Sequence, residues 1–130
     1  MNATPSMLIC DDEEELAHEL GEYFASLGWR VALAITAEQA IAQLTGGLAP
    51  QVLITDLRIG AVDGRLVVAE ARALPAALRP ALVIIITGHV MHNVTAADLD
   101  SDFLYVKPVD PTDVLDDIGS FLASVAPPPA

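Results

Sequence analysis

The chain has 130 residues, 53% of them hydrophobic, and a formal net charge of -12 from 18 acids against 6 bases. That length holds one domain with a real core, and that composition excludes a disordered chain. The uniform negative charge repels phosphate backbones and anionic membranes, so nucleic acid is excluded as a partner, and the longest apolar run (81–86) is too short for membrane insertion.

Short apolar runs alternate with longer amphipathic stretches. Met7-Leu8-Ile9-Cys10 predicts a first strand, and Leu16, Leu20, Tyr23, Phe24 and Leu27 recur at helical spacing over Glu13–Leu27, with Gly28 ending the helix. Trp29–Ala34 predicts a second strand. Thr36 and Gln39 form a capping box for a second helix, which Gly46-Gly47 terminates. Val52–Thr55 is a third strand ending on Asp56, followed from about Gly64 to Pro75 by a helix with Val67, Ala71 and Leu74 inward. Leu82–Ile86, apolar on both faces, is a buried fourth strand. The span His89–Asp102 has little apolar periodicity and predicts a short or irregular fourth helix. Phe103–Val106 is the fifth strand. Asp110-Pro111 opens a last helix carrying Val114, Leu115, Ile118, Phe121, Leu122 and Val125. The expected organisation is one domain over 1–126 and a short Pro-rich tail over 127–130, with no appended output module.

Strict strand–helix alternation implies an α/β fold. A flavodoxin-like, doubly wound five-stranded parallel sheet with helices on both faces fits, and ligands in such sheets sit beyond the strand C-termini. The strand ends carry Asp11-Asp12, Asp56, Thr87-Gly88 and Lys107-Pro108, and Lys107 is the one lysine in the chain. One like-charge pair at 4 Å costs about 4 kcal/mol at an effective dielectric near 20. Three clustered carboxylates therefore call for a divalent cation and the nearby lysine, and an all-oxygen donor set favours Mg²⁺ over zinc. The bland alternative is a surface acidic patch in an acidic protein.

These residues resemble the receiver domain of bacterial two-component response regulators. The matching pieces are Leu8-Ile9-Cys10-Asp11-Asp12-Glu13, Val52-Leu53-Ile54-Thr55-Asp56-Leu57, Asp63-Gly64, Ile86-Thr87-Gly88 and Tyr105-Val106-Lys107-Pro108, in the order and topology of that family. The resemblance implies strand order 2-1-3-4-5. It implies that Asp56 accepts a phosphoryl group from a histidine kinase or a histidine phosphotransfer protein. It also implies that Asp12, Asp56 and the backbone carbonyl of Arg58 hold Mg²⁺, with Asp11 acting through water. Lys107 pairs with Asp56 and then with a phosphoryl oxygen, Thr87 moves to the phosphoryl group, Tyr105 is an aromatic rotamer switch coupled to it, and Pro108 follows a cis peptide. Arg58 and His89, each two positions past a site residue, are candidates for tuning phosphoryl lifetime. The protein is then a phosphoacceptor, not an enzyme beyond self-catalysed phosphorylation and dephosphorylation, and it acts through an unknown downstream protein. An alternative is a degenerate receiver that binds its partner independently of phosphorylation. The lone Cys10 and the absence of a visible signal peptide fit the cytoplasm.

The chain departs from the family at several points. Gly60 stands where the family often has proline four residues after the acceptor, which predicts a looser loop. Past Arg79 the only basic residue is Lys107, so the charge-paired dimer of the family's DNA-binding members is not expected. Other readings are weaker. A haloacid-dehalogenase-type phosphatase needs an acid where Arg58 stands, and a flavodoxin needs a Ser/Thr-rich phosphate loop where Asp11-Asp12-Glu13 stands. His18, His89 and His92 do not make a zinc site. Asp98, Asp100 and Asp102 lack the glycine and glutamate of a calcium loop. Cys10 reads as core, Arg65, Arg72 and Arg79 as solvated partners of nearby acids, and the glutamates of the first helix as a solvated face or a kinase-docking face.

Overall fold

A computed structural model describes residues 4–88 and 94–125. Five parallel strands form the central sheet: β1 (Ser6–Cys10), β2 (Arg30–Ala34), β3 (Val52–Asp56), β6 (Leu82–Thr87) and β7 (Phe103–Val106), in spatial order β2-β1-β3-β6-β7. This is the order 2-1-3-4-5 of a flavodoxin-like sheet. The two-residue strands β4 (Arg58–Ile59) and β5 (Val62–Asp63) pair as a small antiparallel hairpin. The helices are α1 (Glu14–Ser26), α2 (Ala37–Thr45), α3 (Arg65–Arg72) and α4 (Pro111–Val125).

Residue alternation in the strands divides the core in two. Leu8, Cys10, Leu53, Val83 and Ile85 pack with Ala40, Leu44, Val67 and Ala71 of α2 and α3. Met7, Ile9, Val52, Ile54, Leu82, Ile84 and Ile86 pack with Phe24 of α1 and Val114 and Ile118 of α4. Every residue of β3 and of β6 is buried, because helices cover both faces of the sheet centre. The capping box at α2 forms as expected. Gln39 N–H donates to Thr36 Oγ1 at 3.0 Å, and the Gln39 side chain accepts from Ile35 N–H at 2.9 Å.

Side-chain staples hold the described residues that precede β7. Over the described residues 94–102 the regular structure is a single 3-10 turn, Ala97–Leu99. Asp102 N–H donates to the Val83 carbonyl at 2.8 Å, and Val83 N–H donates to Asp102 Oδ2 at 2.8 Å. Arg72 Nη2 donates to the Asp100 carbonyl at 3.1 Å and lies 3.4 Å from Asp102 Oδ2. Arg72 is therefore the partner of an acid, as its sequence suggests, but a half-buried one that staples α3 to this segment rather than a solvated one. His89, a candidate for tuning phosphoryl lifetime, His92 and the Pro-rich tail 127–130 lie outside the described residues.

Candidate functional site

The parallel sheet sends the C-terminal ends of β1, β3, β6 and β7 to one rim, and the acids arrive there by strand position. Asp11 follows β1, Asp56 closes β3, and both are buried, at 5% and 7% exposure, whereas Asp12 is exposed. One carboxylate oxygen from each of Asp11, Asp12 and Asp56 lies within 4.8 Å of the other two. The three carboxylates that the sequence places at strand ends are thus one cluster.

Lys107 reaches into it. Its Nζ lies 2.8 Å from Asp56 Oδ2, 3.1 Å from Asp11 Oδ2 and 2.9 Å from Glu13 Oε1. Burial pulls the ammonium's pKa down, but the bonds to Asp56, Glu13 and Asp11 outweigh it and hold the group above the ordinary lysine range. Burial raises the Asp11 pKa, the adjacent Asp56 charge adds to the rise, and hydrogen bonds from Glu13 N–H and Lys107 oppose it. Asp11 Oδ1 accepts the Glu13 N–H at 2.9 Å, and Asp56 Oδ1 accepts the Arg58 N–H at 3.1 Å. Glu13 is the residue that sequence reading missed as a partner of the lysine. The signal was available, since it directly follows Asp11-Asp12 and precedes the first turn of α1.

The loop after Asp56 is shaped by close approach. Gly64 N–H donates to the Leu57 carbonyl at 2.6 Å, and a Cβ on Gly64 would lie 2.0 Å from the Asp56 carbonyl oxygen. Ile59, 3% exposed, anchors the β4–β5 hairpin in the core. At the hairpin tip Gly60 has φ +63 and donates its N–H to Asp12 Oδ2 at 2.9 Å. The looser loop expected from the missing proline is therefore not what the chain builds. A glycine admits the left-handed conformation and supplies a donor that proline lacks, and the loop closes into a hairpin tied to Asp12.

Thr87 ends β6 and is 2% exposed, and its carbonyl accepts the Lys107 N–H at 2.8 Å. The Lys107–Pro108 peptide is cis. Tyr105 does not join Thr87. The pairing Ile86↔Tyr105 and Thr87↔Val106 puts Thr87 on the α2/α3 face and Tyr105 on the opposite one, because adjacent strand residues point to opposite faces. Tyr105 stacks with Phe103, and its hydroxyl donates to Asp117 on α4. Leu104, packed against the α2/α3 cluster, and the exposed Val106 are the β7 side chains on the face of Thr87. The expected aromatic switch coupled to Thr87 is corrected on that ground: it would need Tyr105 one register position away.

Arg58 is exposed at the start of the hairpin, and its backbone N–H contacts Asp56. His18 is exposed on α1 beside Glu14, Glu15, Glu19 and Glu22. Cys10 is fully buried, and burial first, with nearby carboxylates adding, pushes its thiol up to about 12. A cleft of about 600 Å³ opens beside Asp56 and Lys107, between α1 and the chain after β7, with Leu16, Ala17, Leu20, Pro108 and Val109 in its wall.

The donor set fits a hard divalent cation. It offers oxygen only, on three converging carboxylates whose charges one lysine does not balance. Residues 7–119 match the model of the response regulator receiver domain family. The chain belongs to that family. Among solved structures, it resembles a signal receiver domain from Vibrio parahaemolyticus (TM-score 0.80, 19% identity, 94% of this chain and 92% of that one). It likewise resembles a CheY-like receiver domain protein from Methanospirillum hungatei (TM-score 0.80, 22% identity, 94% and 96%). A response regulator from Burkholderia pseudomallei, crystallised with a phosphorylated aspartic acid, a calcium ion and citrate, aligns with TM-score 0.73 at 21% identity over 95% of this chain and 75% of that one. A sequence search of curated proteins gives no match. No helix among the described residues is long and apolar enough to cross a membrane.

Proposed function

We propose that this receiver domain accepts a phosphoryl group on Asp56 and uses the change to alter a protein-interaction surface. The observation that carries this reading is the Asp11–Asp12–Asp56 cluster with Lys107 bonded to Asp56 at 2.8 Å. The donor is a phosphohistidine of a histidine kinase or phosphotransfer protein, and the cleft beside Asp56 offers room for it. An Asp56 carboxylate oxygen forms the new P–O bond as the P–N bond to the donor imidazole breaks. The donor enters protonated on its other ring nitrogen, so the imidazole leaves with the bonding pair as a neutral ring.

In-line transfer demands positioning and neutralisation of the phosphoryl oxygens. Arg58 N–H and Lys107 fix the two Asp56 oxygens, so the nucleophile is oriented before the donor arrives. Lys107 then takes a phosphoryl oxygen in place of an Asp56 oxygen, and its bonds to Asp11 and Glu13 keep the ammonium at the rim during the exchange. The Thr87 hydroxyl is the further donor to the phosphoryl group, and Gly88 leaves it space. Asp12, Asp56 and the Arg58 carbonyl would hold Mg²⁺, with Asp11 supporting the site. When bound, this ion neutralises charge on the carboxylates and on the phosphoryl oxygens. Arg58 and His89 are the candidates for tuning the lifetime of the acyl phosphate.

Acetyl phosphate with MgCl₂ should add one phosphoryl group to the wild-type chain by intact-protein mass spectrometry. Asp56→Asn should take up none. A wild type that stays unmodified by acetyl phosphate and by phosphorylated kinases sinks the reading. A second reading, a phosphorylation-independent interaction module, draws on the separation of Tyr105 from Thr87 by the sheet. It requires that Asp56→Asn bind the downstream partner as tightly as the phosphorylated wild type does.

A further inference from the structure

The β4–β5 hairpin reaches back from Asp56 to the one carboxylate of the cluster that the lysine does not hold. Lys107 bridges Asp11, Asp56 and Glu13, and no salt bridge to Asp12 occurs among the described residues. Asp12 is also the exposed member of the trio. An exposed aspartate without a partner rotates freely, and ordering it for a metal costs side-chain entropy. Here Gly60 N–H meets Asp12 Oδ2 at 2.9 Å.

The position of that N–H is set independently of Asp12. Ile59 is sunk in the core on one side of the tip, Arg58 pairs with Asp63 across the hairpin, and Gly64 is wedged against the Asp56 carbonyl behind it. The tip itself needs the left-handed backbone that Gly60 adopts at φ +63. A proline at this position would have φ near −65° and no N–H, so it could supply neither the turn nor the bond.

We propose that the Gly60 backbone N–H is a positioning group for the divalent cation: it fixes one oxygen of Asp12 so that the carboxylate is presented, already oriented, to a metal shared with Asp56. The inference rests on the phosphoryl-acceptor reading above and adds a residue to it. Donors that hold a metal ligand in place from outside the coordination sphere are worth about 10–100-fold in affinity. The departure from the family's common proline at position 60 is then a compensating feature of this chain's site, and restoring the proline harms it.

The test is calorimetric titration of the full chain with MgCl₂. Gly60→Asn keeps the N–H and tolerates the left-handed region, so it should bind like the wild type. Gly60→Pro should bind about tenfold more weakly or worse. Equal affinity for Gly60→Pro and wild type overturns the proposal, and so does a Gly60→Asn as weak as Gly60→Pro. Far-UV circular dichroism and metal-free melting check that each variant is folded. If Gly60→Pro is not folded, the wild-type chain decides by NMR: the Gly60 amide should exchange slowly and its proton shift should move on adding MgCl₂. A fast-exchanging, unmoved amide overturns the proposal. A wild type that binds no Mg²⁺ overturns the metal site and this role with it. Wild-type binding unaltered by Gly60→Pro removes this role alone.

Discussion

Gly64 and Lys107 show how differently single residues come to be indispensable. Lys107 is held by chemistry: one compact ammonium answers three carboxylates from two separate segments of the chain. Gly64 is held by space. Its φ of −61° and ψ of −18° suit any residue, so backbone freedom is not its purpose. A Cβ there would meet the Asp56 carbonyl oxygen at 2.0 Å, inside any tolerable contact. Gly64→Ala must push the hairpin or the end of β3 aside, at a cost of about 2–3 kcal/mol. Urea unfolding should give a lower midpoint with unchanged slope. The same substitution should weaken Mg²⁺ binding, since it moves the backbone that carries Asp56.

At the scale of elements, the pairing of β7 with α4 has its own polar tie. Burial, then the hydrogen bond to Asp117, raises the Tyr105 phenol pKa above its ordinary value. The sign follows from linkage. Above about pH 10 the unfolded chain loses this proton while the folded chain keeps it, so stability falls as pH rises through that range. Cys10, whose thiol is pushed up to about 12, contributes a loss of the same sign. Tyr105→Phe should therefore show a shallower alkaline decline in urea midpoint than the wild type. An identical decline in the two proteins would mean that the phenol is not tied to Asp117. The segment before β7 belongs to this scale too. Its sequence offers little apolar periodicity, and its described residues 94–102 are held by Asp102 clasping Val83 and by Arg72 bridging to Asp100 and Asp102, contacts between residues 19 to 30 positions apart. Nothing local in the sequence announces such bonds.

For the whole molecule, charge sets the response to cations. A chain of net charge -12 gathers four acids, Asp11, Asp12, Glu13 and Asp56, around a single lysine. Asp12 is the acid of this group outside the reach of Lys107, so Asp12→Asn removes repulsion without breaking an ion pair. It should stabilise the metal-free protein by up to about 1 kcal/mol, a rise of a few degrees in Tm. Conversely, Mg²⁺ at 100 times its Kd should stabilise the wild type by about 2.7 kcal/mol, and much less in Asp12→Asn. Thermal scans with and without MgCl₂ measure both effects. A metal-free Asp12→Asn that melts below the wild type would show that Asp12 is held by attraction rather than opposed by repulsion.

The sequence by itself determined the alternation of strands and helices, the parallel sheet, and the strand-end positions of Asp11, Asp12, Asp56, Thr87 and Lys107. These are local or periodic properties: an apolar run of four or five residues, a helical repeat, a charged residue where the run stops. Topology then carries strand ends to a common rim without further information. Tertiary structure alone decided the rest. Glu13 joins the lysine because the start of α1 lies over the end of β7. Gly60 meets Asp12 because a hairpin folds back across 48 residues of sequence separation. Tyr105 and Thr87 fall on opposite faces because strand pairing sets them one register position out of step. Each of these turns on a few ångströms or a single residue of register, and a strand apolar at every position, such as Phe103–Val106, has no alternation to mark its faces.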